Sequence, residues 1–242
     1  MTISRIDVIG AGAWGTALAA LVHENGHATR IWAFEEEVAR AINVQNENTR
    51  YLGGVILPKG IEASADIATF GQADAVLLVT PAQHLRAIAK TLAPHLGQGV
   101  PVVICSKGIE QSTGALGSEI VADVLAAAPL AVLSGPTLAG EVARGLPTAV
   151  TIAAAEPKLA ETLVAALGCP RFRPYATGDV IGAEIGLLTP PLGISCFTIK
   201  STIRDPTITL SDIFTGAFPF AVIMLLVLIL IIAFPWLSIG LL

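Results

Sequence analysis

The chain has 242 residues, enough to bury a full core in one large or two modest domains. Its 14 basic and 19 acidic residues give a net charge of −5 with no basic cluster, which speaks against nucleic acid as a partner. Hydrophobic residues make up 53% and charged residues 14%, too apolar for an ordinary soluble domain, and the excess sits at one end: from Leu187 to Leu242 the only charges are Lys200, Arg204, Asp205 and Asp212.

Met1 to Arg5 lead directly into a predicted strand, Ile6 to Ile9, leaving no room for an export signal. Gly10-Ala11-Gly12-Ala13-Trp14-Gly15 follows, three glycines at the spacing of a dinucleotide-binding turn. The first glycine allows the tight bend, the second lets backbone approach a pyrophosphate, and the third lets the helix pack on its strand. The helix N-terminus then offers free N–H groups and a partial positive charge to phosphates. The bare pattern also fits any glycine-rich turn; strand before and helix after favour the nucleotide site.

Thr16 to Asn25 carries helical apolar spacing, with Gly26 as a stop, and Thr29 to Ala33 reads as a second strand. An NAD-preferring unit of this kind places an acid at the end of that strand to hold the ribose 2′-hydroxyl. Ala33 and Phe34 stand there instead, Glu35 comes a little late, and no Arg follows directly, so NAD and NADP both stay open as cofactors. Glu36 to Val44 reads as helix, Asn46 to Gly54 as a polar loop, Ala75 to Val79 and Val102 to Cys105 as strands, and Ala82 to Leu92 as helix.

This alternation predicts an α/β fold of Rossmann type, a doubly wound, mostly parallel sheet covered on both faces. Ligands of such sheets lie beyond the C-terminal strand ends, where Thr80-Pro81, Ser106-Lys107-Gly108 and Ser134-Gly135-Pro136-Thr137 fall. A lone lysine is usually solvated, but the place of Lys107 makes it a candidate substrate or phosphate contact. Gly135 to Thr137 is either an ordinary turn or a backbone and hydroxyl cradle. Cys105, Cys169 and Cys196 are scattered, and His23, His27, His84 and His95 pair with no acid or cysteine in sequence, so no metal site is expected. The histidines read as surface or helix residues.

Residues 5–186 resemble the N-terminal part of the bacterial NAD(P)-dependent glycerol-3-phosphate dehydrogenases. The resemblance rests on residues 10–19, Asn48-Thr49-Arg50-Tyr51-Leu52, Ser106-Lys107-Gly108-Ile109-Glu110, residues 133–141, Gly145-Leu146-Pro147-Thr148-Ala149 and residues 178–186. It implies binding of NAD or NADP, with glycerol 3-phosphate or dihydroxyacetone phosphate as substrate. By the same resemblance Gly10, Gly12, Ala13, Trp14, Gly15, Phe34 and Ala139 serve the cofactor. Lys107 touches cofactor and substrate, and Gly135 and Thr137 hold the substrate.

In that family the Glu-Ile-Gly block leads through Gly-Ala-(apolar) to a lysine that is the general acid/base, and on into a helical domain. Here Leu187-Leu188-Thr189-Pro190-Pro191 follows, with Pro190 at the lysine position. No catalytic residue is therefore expected, and impaired turnover is.

The chain instead divides into a dinucleotide-binding domain, 1–186, and an apolar tail, 187–242. Ala221 to Phe234 is an unbroken apolar run of fourteen residues, which predicts a transmembrane helix near 217–238 and membrane contact through the tail, a buried core helix being the alternative. The N-terminal domain would then be cytoplasmic and the tail in the inner membrane. Residues 184–193, Phe197, Ile208 to Ile213, Pro219-Phe220 and Ala233-Phe234-Pro235 resemble the C-terminal end of the large permease subunit of TRAP-type dicarboxylate transporters. Glu184-Ile185-Gly186 fits both families, which points to a fusion at that tripeptide.

Overall fold

A computed structural model describes residues 2–185 together with Leu226 and Phe234. The chain divides into two units, Met1–Leu188 and Thr189–Leu242. Pro190 and, Leu226 and Phe234 excepted, the expected span near 217–238 lie outside the described residues. Among the described residues no helix is long and apolar enough to cross a membrane.

The strands are β1 (Arg5–Ile9), β2 (Ala28–Trp32), β3 (Glu62–Ser64), β4 (Ala75–Leu78), β5 (Val102–Ile104), β6 (Leu130–Ser134), β7 (Thr148–Ala153) and β8 (Phe172–Thr177). Between and after them run α1 (Ala13–Glu24), α2 (Glu36–Gln45), α3 (Ala82–Leu92), α4 (Gly117–Val124), α5 (Ala139–Ala143), α6 (Pro157–Leu167) and α7 (Val180–Ile185). Among the described residues eight strands join one sheet in the order β3-β2-β1-β4-β5-β6-β7-β8. Every neighbouring pair is parallel except β6 and β7. The chain winds outward from β1 to β3, then returns to β4 on the other side, so the strand order reverses between β1 and β4. A crevice opens at such a reversal, beyond the C-terminal ends of the strands.

Strands buried on both faces need apolar residues at every position, not alternate ones. β4 meets this with Ala75 and Leu77 in one core layer and Val76 and Leu78 in the other. Helix α1 is buried along Gly15 to Val22, because α5 and α6 cover the side turned away from the sheet. That is why it carries small and apolar residues with so little polar relief.

One charge interrupts the central strand. Asp7, fully buried on β1, accepts from Arg30 Nε at 3.0 Å, from Arg30 Nη2 at 2.9 Å and from the Gly71 amide at 2.8 Å. The Arg30 guanidinium lies 5.0 Å from the centre of the buried Phe70 ring. Carboxylate and guanidinium are thus paired and packed, as a buried charge requires.

Candidate functional site

The glycine loop runs from the end of β1 into α1. Gly10 has φ +121°, which L side chains rarely adopt, and an added Cβ would lie 2.7 Å from the Val79 carbonyl oxygen on the neighbouring strand end. A Cβ on Gly15 would fall on the Gly10 carbonyl oxygen. Gly12, by contrast, has open space where a side chain would project. It is the N-cap of α1, and no side chain caps the helix there, so the first N–H groups of α1 face outward unclaimed.

A loop from elsewhere in the chain fixes this turn. Buried Asn48 donates through Nδ2 to the Ala11 carbonyl and to Thr16 Oγ1, each at 2.8 Å, while its Oδ1 accepts from the Tyr51 amide at 3.1 Å. The Ala11 carbonyl is held inward by that bond, which leaves the turn's amide side toward the crevice.

The crevice is a cavity of about 610 Å³ at the β1/β4 reversal. Gly10, Gly12, Ala13, Trp14, Phe34, Lys107, Thr137 and Ala139 line it, bringing together eight residues read from the sequence as site residues. Gly15 and Gly135 do not line it. Gly15 acts by letting α1 sit against β1. Gly135 is a glycine for packing, since its Cβ would come within 2.9 Å of Val150, and it meets the site through its carbonyl, which accepts from Lys107 Nζ at 3.2 Å.

Lys107 Nζ also lies 5.9 Å from the centre of the Trp14 ring. Loss of solvent around the ammonium holds its pKa below the usual lysine value. Burial pushes the neighbouring Cys105 thiol far up, which leaves it an inert packing group. Of the residues that line the cavity, Trp14, Thr80 and Thr137 each carry a polar atom, Nε1, Oγ1 and Oγ1, that is buried without a hydrogen-bond partner among the described residues; His23 Nδ1, away from the cavity, is another. Buried polar atoms are ordinarily satisfied. Together with the open N-terminus of α1 and the room at Gly12, the three at the cavity fit a long ligand with a phosphate-bearing middle.

Ala33, just past the end of β2, donates to the Ser64 carbonyl, and Glu35, with extended backbone, lines the cavity. His84 is an exposed residue of helix α3, as the sequence reads it, and it also lines the cavity. Tyr51 was also missed as a site residue. Its signal was present, because it belongs to the same short loop as Asn48.

The family model of the NAD-dependent glycerol-3-phosphate dehydrogenase N-terminus matches residues 5–160. That of the tripartite ATP-independent periplasmic transporter DctM component matches residues 159–237. A glycerol-3-phosphate dehydrogenase [NAD(P)+] of Paramagnetospirillum magneticum is 53% identical over 199 residues, 82% of this chain and 72% of that protein. One from Parvibaculum lavamentivorans is 49% identical over 197 residues, 81% of this chain and 59% of that protein. The crystal structure of glycerol-3-phosphate dehydrogenase from Coxiella burnetii superposes with a TM-score of 0.72 at 32% identity, covering 76% of this chain and 57% of that one. The chain thus spans roughly 57 to 72% of the length of these relatives.

Proposed function

This chain belongs to the NAD-dependent glycerol-3-phosphate dehydrogenase family through residues 5–160, and we propose that it binds NAD or NADP in the cavity but turns over little dihydroxyacetone phosphate. The observation that carries the binding half is the set of three orphaned polar atoms around an uncapped helix N-terminus. In this reading the amides of Gly12, Ala13 and Trp14 take the pyrophosphate. Phe34 lies along the adenosine end and Ala139 beside the opposite one. When bound, the nicotinamide would supply or accept the hydride.

The chain's own residues would then hold the small substrate. Lys107, directed by the Gly135 carbonyl, is a cation for the anionic substrate, and Thr137 Oγ1 is a hydroxyl without a protein partner. The lysine that the family pattern uses for proton transfer to the substrate oxygen is missing, with Pro190 in its place. Loss of a general acid/base costs about 10²–10⁴ in rate.

The test uses the purified full chain in two measurements. NADH fluorescence should titrate to saturation, while NADH oxidation by dihydroxyacetone phosphate should stay at least about 100-fold below an ordinary turnover of around 10 s⁻¹. Ordinary turnover would overturn the impairment.

A second reading concerns the tail: the chain joins the dehydrogenase domain to a permease fragment that enters the membrane. The DctM match and the fourteen-residue apolar run favour it. The match begins at residue 159, yet α6, β8 and α7 complete the sheet, and Phe172 of β8 is buried in the main core. That favours a join at Glu184-Ile185-Gly186, made by recombination or by misjoined sequence. Retention of the chain in carbonate-washed membranes, and a continuous genomic read across codons 180–195, would support the join; release into the wash would count against the anchor.

A further inference from the structure

Between β5 and α4 the chain runs from Cys105 to Leu116 without helix or strand, and Lys107 stands near the start of that loop. It is gripped on both sides of the lysine. Before it, Ser106 Oγ donates to the Thr80 carbonyl at 2.5 Å. After it, helix α3 holds Ile109, Glu110 and Gln111. Gln83 donates through Nε2 to the Ile109 carbonyl at 2.8 Å and accepts through Oε1 from the Gln111 amide at 3.0 Å. Arg86, three residues along the same helix, meets Glu110 as a fork, with Nε 2.9 Å from Oε1 and Nη2 3.0 Å from Oε2. Thr113 Oγ1 donates to that same Oε2, and Asp123 of α4 accepts from Arg86 Nη1. Glu110 is buried, and these bonds, that of Arg86 foremost, hold its carboxyl below the usual carboxylate range, so it is an anion.

A buried ion pair is weak evidence for stability, since apolar residues of similar volume often serve as well. What a guanidinium–carboxylate fork supplies is fixed geometry. Only Lys107-Gly108 lies between the two grips. Gly108 has φ +124°, and a Cβ there would come within 3.2 Å of the Ala82 Cβ at the start of α3, so this short span is set against the helix as well. A lysine is flexible, and ordering its side chain costs entropy that a fixed base reduces. Helix α3 faces the cavity through His84 and Ile88 and holds the loop through Gln83 and Arg86. We infer that Glu110, held by Arg86, is a positioning residue that presets Lys107 for an anionic substrate. Neither Glu110 nor Arg86 lines the cavity, so both act through the lysine. The inference rests on the proposed reading of Lys107 as the cation for the substrate.

The experiment titrates glycerol 3-phosphate into the NADH-saturated full chain by calorimetry, a pair that cannot exchange a hydride. Native protein is compared with Glu110→Gln, Gln83→Ala and Asp123→Asn, each also titrated with NADH by fluorescence. Glu110→Gln keeps the size and loses the charge, and should weaken glycerol 3-phosphate about tenfold and NADH less than about threefold. Gln83→Ala leaves the ion pair in place and should weaken glycerol 3-phosphate about threefold, which keeps the test open if the first variant does not fold. Asp123→Asn takes an exposed carboxylate from the same guanidinium without touching the loop, and should leave both affinities within about twofold. Competitive labelling of lysines, read by peptide mass across pH, adds a sign. In Glu110→Gln the Lys107 pKa should rise toward the ordinary lysine value as water reaches the loosened ammonium, whereas a negative charge acting directly would on removal lower it. Native affinity for glycerol 3-phosphate in Gln83→Ala and in a folded Glu110→Gln overturns the positioning, as does an equal loss in Asp123→Asn or a fall in the Lys107 pKa. A native chain that binds NADH but no glycerol 3-phosphate overturns the reading of Lys107, and the inference with it; one that binds neither overturns the cavity as the site.

Discussion

Two polar regions lie along β1 and differ in one respect. In the middle of the strand, Asp7 has its oxygens taken by Arg30 and the Gly71 amide, and nothing polar is left over. At the strand's end, Trp14 Nε1, Thr80 Oγ1 and Thr137 Oγ1 are as thoroughly buried but have no partner. A low-dielectric surrounding makes the first arrangement a closed structural unit and the second a liability unless a ligand completes it. Burial and polarity are alike in the two places. Satisfaction separates these two regions, although His23 Nδ1, outside the cavity, is likewise buried without a partner among the described residues.

The largest effect that would break this contrast is at Asp7. Asp7→Ala strands the Arg30 guanidinium, whose side chain is only 23% exposed. Removing one partner of a buried pair is strongly destabilising, and with Arg30 partly solvated we expect about 2–3 kcal/mol. Urea unfolding measures this, and fluorescence titration below the unfolding range should show NADH affinity changed less than about twofold. A variant that keeps its stability but loses the nucleotide would place Asp7 with the site and dissolve the distinction.

Asn48 is a buried, satisfied group that braces the glycine turn, and it gives a smaller, mixed effect. Asn48→Ala removes the bonds to Ala11 and Thr16 that hold the glycine turn. Each net hydrogen bond contributes roughly 1 kcal/mol. The expected result is a loss of about 1–2 kcal/mol of stability together with about tenfold weaker NADH binding, because the turn is no longer preorganised. Unchanged binding at reduced stability would show that the turn keeps its shape without the brace.

How much of this could be read from the sequence follows the same division. The glycine turn, Lys107 and Thr137 were legible because strand ends and glycine spacing are local signals, and the sheet brings those ends together by rule. The run Ile6 to Ile9 reads as a strand, but how it tolerates Asp7 does not, since the partners of that charge, Arg30 and Gly71, are supplied by distant segments. The bond that Ala33 makes just past the end of β2 is out of reach of the sequence for a related reason, since its acceptor, Ser64, belongs to the edge strand β3. The place of Tyr51 at the cavity needs the Asn48 loop to fold back over α1, which no periodicity announces. β7 and β8, with their antiparallel junction to β6, left no distinct mark either. Strand pairing is decided by what lies beside a segment, not by the segment alone.

The smallest predicted effect is also the most discriminating. Thr80 is 97% buried at the end of β4, and its hydroxyl has no partner, whereas its carbonyl accepts from Ser106 Oγ at 2.5 Å. Thr80→Val exchanges the hydroxyl for a methyl group and leaves that backbone bond intact. Were the hydroxyl part of the scaffold, like the groups around Asp7, the exchange would lower stability by about 1 kcal/mol or more. As an orphan, it should cost nothing in the free protein and raise the urea midpoint slightly, because an unsatisfied buried group has been removed. Affinity for NADH should fall by about threefold to tenfold if the ligand is what the hydroxyl awaits. Opposite signs in the two measurements would separate a group kept for binding from one kept for folding.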